Sequence, residues 1–218
     1  EGMRYGQIYG TDFVYDNAGN KVIDADGYYK STATPVYLGS YLPDYNGGLR
    51  NTFRYKNFTL SALIDHQKGG KYFSTSHMWG MYSGMLDKTA DNGIRENGIV
   101  LDGVLQNTDG TFRPNDVVLD GYSYATNHYN RVDAANVFDA TYWKLREVTL
   151  AYTLPKKFLG DTISDVTITA FARNLFTWGL AWDIDPETAS YSSGNVQGLE
   201  GGSLPSTKTY GVNVQFKF

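Results

Sequence analysis

The sequence predicts an all-β protein, a portion of an antiparallel transmembrane β-barrel with long external loops. Three observations lead there. Tyr210, Val212, Val214, Phe216 and Phe218 alternate with Thr209, Gly211, Asn213, Gln215 and Lys217, giving the final strand the apolar and polar faces that a wall between lipid and a wet lumen requires. A soluble sandwich edge can alternate too, but its strongest apolar stripe seldom falls on terminal residues, which usually fray. The strand-like segments are joined by connections that alternate strictly between short and long. Aromatic residues make up 15% of the chain, with 18 Tyr, 11 Phe and 4 Trp, and amphipathic rings favour membrane interfaces and sugar-binding surfaces.

Taken in order, alternation and Tyr/Val/Phe/Thr enrichment predict strands over Gly6–Tyr15, Leu49–Lys56, Phe58–Asp65, Tyr142–Leu154, Val166–Phe176 and Thr207–Phe218. Lys56-Asn57 and Pro155–Asp165 are short links, whereas Asp16–Gly48, His66–Thr141 and Thr177–Ser206 are long and rich in Gly, Asn, Asp and Ser. Pairs such as Gly19-Asn20, Asp26-Gly27 and Gly47-Gly48 mark turns. Within the middle loop, Tyr72–Asp91 carries Trp79, Met81, Tyr82, Met85 and Leu86, a spacing that allows a short helix at the barrel mouth, weakened by Gly80 and Gly84. The alternation puts every long connection at one end of the sheet, as in outer-membrane barrels. With Phe218 at the periplasmic rim, the long loops face outward. Six strands are too few to close, since single-chain barrels begin at about 8 and an open edge in lipid costs several kcal/mol per unpaired group. Residues 1–218 therefore read as the last part of a larger barrel.

Composition narrows the alternatives. A hydrophobic content of 41% and a mean hydropathy of -0.40 match a soluble protein, but barrel strands need only about 9–11 alternating residues, and no apolar run reaches the roughly 20 of a membrane helix. A net charge of -4 without a Lys/Arg cluster gives no footprint for nucleic acid. The absence of cysteine excludes disulfides, thiolate metal sites and Cys nucleophiles. The chain opens on Glu1 without a leader pattern, so an export signal is either removed or belongs to sequence beyond it. His66, His77 and His128 lack an i,i+4 partner, which makes solvated loop histidines the default, and neither a nucleophile elbow nor a phosphate loop occurs. Nothing demands catalysis, so the protein is not read as an enzyme.

Several residues carry a binding reading beside a plain one. Trp178, Trp182 and Tyr191 in the last long loop, with Trp79 and Tyr82 in the middle one, are the substrate-contact candidates, able to stack on sugars or clamp a peptide. The plain reading is an aromatic girdle or loop packing. Asp183, Asp185 and Glu187 alternate and in extended chain would share a face offering oxygen ligands to Ca²⁺. Pro186 favours a turn equally, and the stretch lacks the ligands of a full calcium loop, so no cofactor is expected. Charges inside strands, namely Arg54, Lys56, Lys144, Arg146 and Arg173, would cost about 2–4 kcal/mol against lipid at the midplane and should face the lumen or a rim. Arg173 shares its face with Phe171, opposite Val166, Ile168, Ala170 and Ala172, and is expected to point into the lumen near the external rim.

Tyr142-Trp143-Lys144-Leu145-Arg146-Glu147-Val148-Thr149-Leu150-Ala151-Tyr152-Thr153-Leu154-Pro155 resembles a strand of the SusC/RagA-like TonB-dependent outer-membrane transporters. Ala172-Arg173-Asn174-Leu175-Phe176 and Asp185-Pro186-Glu187 look like that family's next strand end and loop. Upstream, Glu1-Gly2 to Tyr9-Gly10, Leu38-Gly39 with Pro43-Asp44, Gly47-Gly48 before Thr52-Phe53, and Gln67-Lys68-Gly69-Gly70 recur in family order. Residues 77–136 and 190–203 carry no family pattern. The resemblance implies part of a plugged barrel of about 22 strands in the outer membrane of a Gram-negative, Bacteroidetes-type bacterium. It also implies a SusD-like surface lipoprotein as partner and import of oligosaccharides or peptides with TonB-coupled energy. The plug, the TonB-contacting segment and the earlier strands would lie outside this chain. The final strand, Tyr210, Val212, Val214, Phe216 and Phe218, would then serve as the aromatic signal read by barrel-assembly machinery, besides facing lipid. A non-transporting adhesin or receptor barrel, and a soluble β-rich carbohydrate-binding module, are the alternatives.

Overall fold

The computed structural model describes residues 2, 5–128, 131–160, 162–189 and 196–218. It is mostly β-structure with a few short helices, and no helix among the described residues is long and apolar enough to cross a membrane. The chain forms two compact units, one of Pro43–Gly70, Asp139–Thr188 and Leu204–Phe218, the other of Glu1–Leu42, Lys71–Phe138 and Ala189–Ser203.

The first unit is a five-stranded antiparallel sheet. Its strands are β1 (Tyr45–Tyr55), β2 (Phe58–Lys68), β3 (Tyr142–Thr153), β4 (Asp165–Trp178) and β5 (Thr209–Lys217), and each pairs with its neighbour in sequence. Such a meander needs only local hairpin closure. The link between β1 and β2 is the pair Lys56-Asn57, with Lys56 at φ 52. Asn57 Nδ2 donates to the Thr153 carbonyl at 2.7 Å, which pins that turn to the end of β3. All long connections leave from the opposite end of the sheet, as expected.

A bulge interrupts β3 between Leu145 and Glu147, and across from it Asn174 of β4 sits at φ 52. A bulge shifts the side-chain alternation by one residue. Here it lets Lys144, Arg146 and Glu147 emerge on one face while Leu145 and Val148 stay on the other.

Five of the six expected strands are in this sheet. The sixth, Gly6–Tyr15, is not: Gln7–Gly10 forms a strand that pairs with Val36–Ser40 in the second unit, and Phe13 and Tyr15 make isolated antiparallel bridges to Ser31 and Lys21. Its alternation is that of a short ribbon, with Tyr9 and Tyr37 edge to face 6.2 Å apart. The Gly47-Gly48 pair, read as a turn, lies inside β1 opposite His66 and Asp65. A glycine pair within a strand gives the same local signal as a turn.

The second unit builds its own core from Ile23, Tyr28, Met81, Ile94, Leu101, Leu105, Leu119 and Tyr124. Helix α1 (Thr75–Tyr82) lies within the segment where a short helix was expected, and α2 (Gly121–His128) arises in sequence that gave no helical signal. Ser74 caps α1 by accepting the His77 N–H at 3.0 Å. The buried Glu200 carboxylate accepts the Ser74 hydroxyl at 2.6 Å, the Ser76 hydroxyl at 2.7 Å and the Ser76 N–H at 3.2 Å. A carboxylate at a helix N-terminus also meets the positive end of the helix dipole.

Candidate functional site

The strand registers sort the sheet into two chemically distinct faces. Phe53, Leu60, Leu150, Ala170 and Val212 form one continuous register row on the first face. Toward the short turns this face carries Tyr55, Phe58, Tyr152 and Phe216, with Phe58 and Tyr152 ring centroids 4.6 Å apart. Toward the long connections it carries Leu49, Ile64, Leu145 and Phe176, then His66, Trp143 and Trp178. His66 stacks on Trp143 at 3.8 Å, and Trp143 on Trp178 at 6.4 Å.

Between these two aromatic rows the face bears no charged side chain, and Asn51 is its polar exception. The eight steps from Phe58 to His66 span about 27 Å of strand, or about 20 Å once strands tilt by roughly 40°, close to the ~25 Å apolar band of an outer-membrane wall. The large side chains are uncovered, with Phe53 61% and Val212 68% exposed.

The opposite face is polar. It presents Arg50, Thr52 and Arg54 from β1, Ser61 and Asp65 from β2, Glu147, Thr149 and Thr153 from β3, Thr167, Thr169 and Arg173 from β4, and Asn213, Gln215 and Lys217 from β5. Arg173 is thus on the polar face, where it pairs with Glu147 at 3.0 Å, and Arg50 approaches the same carboxylate at 3.3 Å. By register Leu63 and Phe171 also fall on this face, and the Phe171 ring lies over Gly211, where a Cβ would come within 2.4 Å of it.

At the end with the long connections, the polar face carries a clamp. Lys144, with its side chain 2% exposed, holds both Asp185 carboxylate oxygens at 2.6 Å and also reaches Glu187. Arg146 binds Asp65 at 2.7 Å through Nη2 and Glu187 at 2.7 Å through Nη1, while the Tyr142 hydroxyl donates to Glu187 at 2.8 Å. Burial opposes ionisation of Glu187, but the hydrogen bonds from Arg146, Lys144 and Tyr142 outweigh it and hold the carboxyl at about 2. The stretches 142–146 and 185–187, some 40 residues apart in sequence, are therefore two halves of one ionic fastening. The calcium reading of Asp183, Asp185 and Glu187 meets a physical obstacle here: Asp185 and Glu187 already face an ammonium and a guanidinium, which would repel a divalent cation. Asp183 is exposed outside this network. No metal-competent cluster of His, Cys, Asp or Glu occurs among the described residues.

The other candidates scatter. Trp178 lies in the aromatic row of the apolar face, and Trp182 is half-buried in the same unit. Trp79 and Tyr82 project from α1 in the other unit, edge to face at 5.7 Å and both exposed. Tyr191 lies outside the described residues. Tyr210, Val212, Val214 and Phe216 occupy the apolar face of β5, and Phe218 follows its end.

His77, expected in solvent, is instead buried. Its Nδ1 donates to Asn136 Oδ1 at 2.9 Å and its Nε2 accepts from the Lys88 ammonium at 2.8 Å. Burial pushes its pKa down to about 4 and Lys88 adds to this, against the Asn136 hydrogen bond. Its neutral form is structural. The sequence reading also missed Asp65 and Tyr142 as clamp partners, although the Tyr-x-Lys-x-Arg spacing of strand-borne cations was the signal that could have raised a search for carboxylates.

An antiparallel sheet with an uncovered apolar face, aromatic rows at both margins and its charges on the reverse has the make-up of an outer-membrane barrel wall. No family model matches the chain. TonB-dependent receptor P3 of Formosa agariphila is 28% identical over 211 residues, covering 93% of this chain and 19% of that protein. TonB-dependent receptor P26 of the same organism is 29% identical over 227 residues, covering 99% and 20%. Among solved structures, the RagAB peptide transporter shares the fold with a TM-score of 0.61 at 19% identity, over 97% of this chain and 23% of that one. The RagAB peptide importer in its open-open state gives 0.57 at 14% identity, over 97% and 22%. The resemblance to the SusC/RagA-like TonB-dependent transporters is borne out, and the chain spans about a fifth of the length of the curated relatives it matches.

Proposed function

We propose that this chain forms part of the barrel of a TonB-dependent outer-membrane nutrient transporter. Its sheet supplies a stretch of barrel wall, with the apolar face on lipid and the polar face, Arg173 included, on the lumen. The observation that carries this reading is the segregation of the sheet: between the aromatic rows every charged strand residue is on one face. A soluble module would leave Leu49, Phe53, Tyr55 and Val212 in water, a contiguous apolar surface that monomers rarely tolerate.

Both sheet edges, β1 and β5, need partners in a bilayer, and the remaining barrel strands are the natural source. Coupling to TonB and the plug would lie in that remainder. Work with a SusD-like lipoprotein, and an oligosaccharide or peptide as cargo, follow from the resemblance, with the solved neighbours described as peptide transporters favouring peptide. On this reading Trp143 and Trp178 belong to the girdle and Trp178 is not a substrate contact.

The test is heat-modifiable migration of the whole receptor extracted from native outer membranes. A folded, detergent-dependent species that shifts on boiling supports the barrel; a detergent-independent species with no shift contradicts it.

A further inference from the structure

In the second unit a cavity of about 330 Å³ opens between the C-terminal end of α1 and the start of α2. Its volume is at the lower end of the range for small-molecule sites, suited to one residue of an oligomer. Tyr82 and Tyr122 line it with Arg95, Gly84, Thr89 and Thr126. Arg95 is held from one side: its Nη2 donates to the Gly84 carbonyl at 2.6 Å and to Thr89 Oγ1 at 3.1 Å. Gly121 lets α2 approach this close, since a Cβ there would stand 2.8 Å from Arg95 Cα.

Among the described residues Arg95 has no carboxylate partner, and no acidic side chain lines the cavity in a chain whose net charge is -4. An oriented guanidinium presents paired donors that match a carboxylate. Trp, Tyr and Arg together are also the composition of binding hot spots, and Trp79 stands against Tyr82 at the rim.

We propose that this cavity is a subsite for a carboxylate-bearing residue of the ligand, the guanidinium taking the carboxylate and the two tyrosine rings taking the body beside it. The proposal rests on the transporter reading for its supply of ligand. The carboxylate can come from an acidic or C-terminal peptide residue or from a uronic acid, and the chemistry of recognition is the same.

The experiment titrates the full-length receptor, already shown to migrate heat-modifiably, with tri-glutamate, with trigalacturonate and with the uncharged amide of each, by calorimetry. At least one acidic probe should bind about tenfold or more tightly than its amide, as expected for a charge-assisted contact, and which one does so identifies the source. Arg95→Gln should abolish the preference. Tyr122→Ala, at a position 77% exposed where folding is not at stake, should weaken the acidic probe several-fold. Equal binding of acid and amide, no binding of either acid, or a preference that survives both substitutions overturns the subsite. Because the titrated receptor has already passed the membrane test, such a result leaves the transporter reading standing, whereas loss of heat-modifiable migration strikes that reading and not the pocket.

Discussion

Lys144 shows how single residues set the chemistry of the sheet. An ammonium on a side chain 2% exposed is tolerable only because Asp185 and Glu187 surround it. Lys144→Ala would leave the Asp185 carboxylate buried without its counter-ion, and breaking such a pair costs about 3–5 kcal/mol; the temperature at which the folded band of the receptor is lost should fall accordingly. Glu187 gives the clamp a pH limit. Its carboxyl is held at about 2, below its ordinary 4.5, so its stabilising contribution is complete above about pH 4.5 and lost as pH falls through 2. Protease cleavage within residues 179–188 should therefore rise as pH drops across that window, and Glu187→Gln should flatten the profile. Arg173→Leu removes a polar-face cation while Arg50 still holds Glu147, so assembly should survive, as measured by heat-modifiable migration. The charges inside strands were legible from sequence because an apolar sheet face excludes them. Their partners were not, since Asp185 and Glu187 reach Lys144 and Arg146 only through the path of a loop.

Strands carry the two-faced pattern, and β5 tests it against its own neighbours. Val212→Arg places a charge on the apolar face and should cost about 2–4 kcal/mol near mid-wall, reducing the folded fraction in membranes. Asn213→Arg, one residue on and on the polar face, should be nearly silent. In the second unit, Ser74→Ala removes the cap of α1 and one donor to Glu200, a loss of about 1 kcal/mol; hydrogen exchange should then quicken at the start of α1 and at Leu199–Glu200 together. The long strands were legible because period-2 alternation over ten residues has few rivals. Gly6–Tyr15 failed because the same alternation serves a four-residue ribbon. The bulge at Arg146 was hidden for the opposite reason: it breaks alternation, and strict alternation would put Glu147 on the face opposite Lys144 and Arg146.

At the scale of the molecule, the order of short and long connections was readable from the sequence: every long connection leaves from the same end of the strands. The compact unit those segments build was not readable: its core draws single residues such as Ile23, Met81, Leu105 and Leu119 from distant points, and no local period records such contacts. On the transporter reading, one face of the sheet meets lipid and the other meets water. The absence of native cysteine in this chain suits single-cysteine scanning of positions 210 to 216 in the whole receptor, in membranes, with a spin label read against oxygen and against a water-soluble nickel complex. Oxygen should dominate at 210, 212, 214 and 216 and nickel at 211, 213 and 215. A flat profile, or nickel access at Val212 and Val214, would contradict a lipid-facing wall.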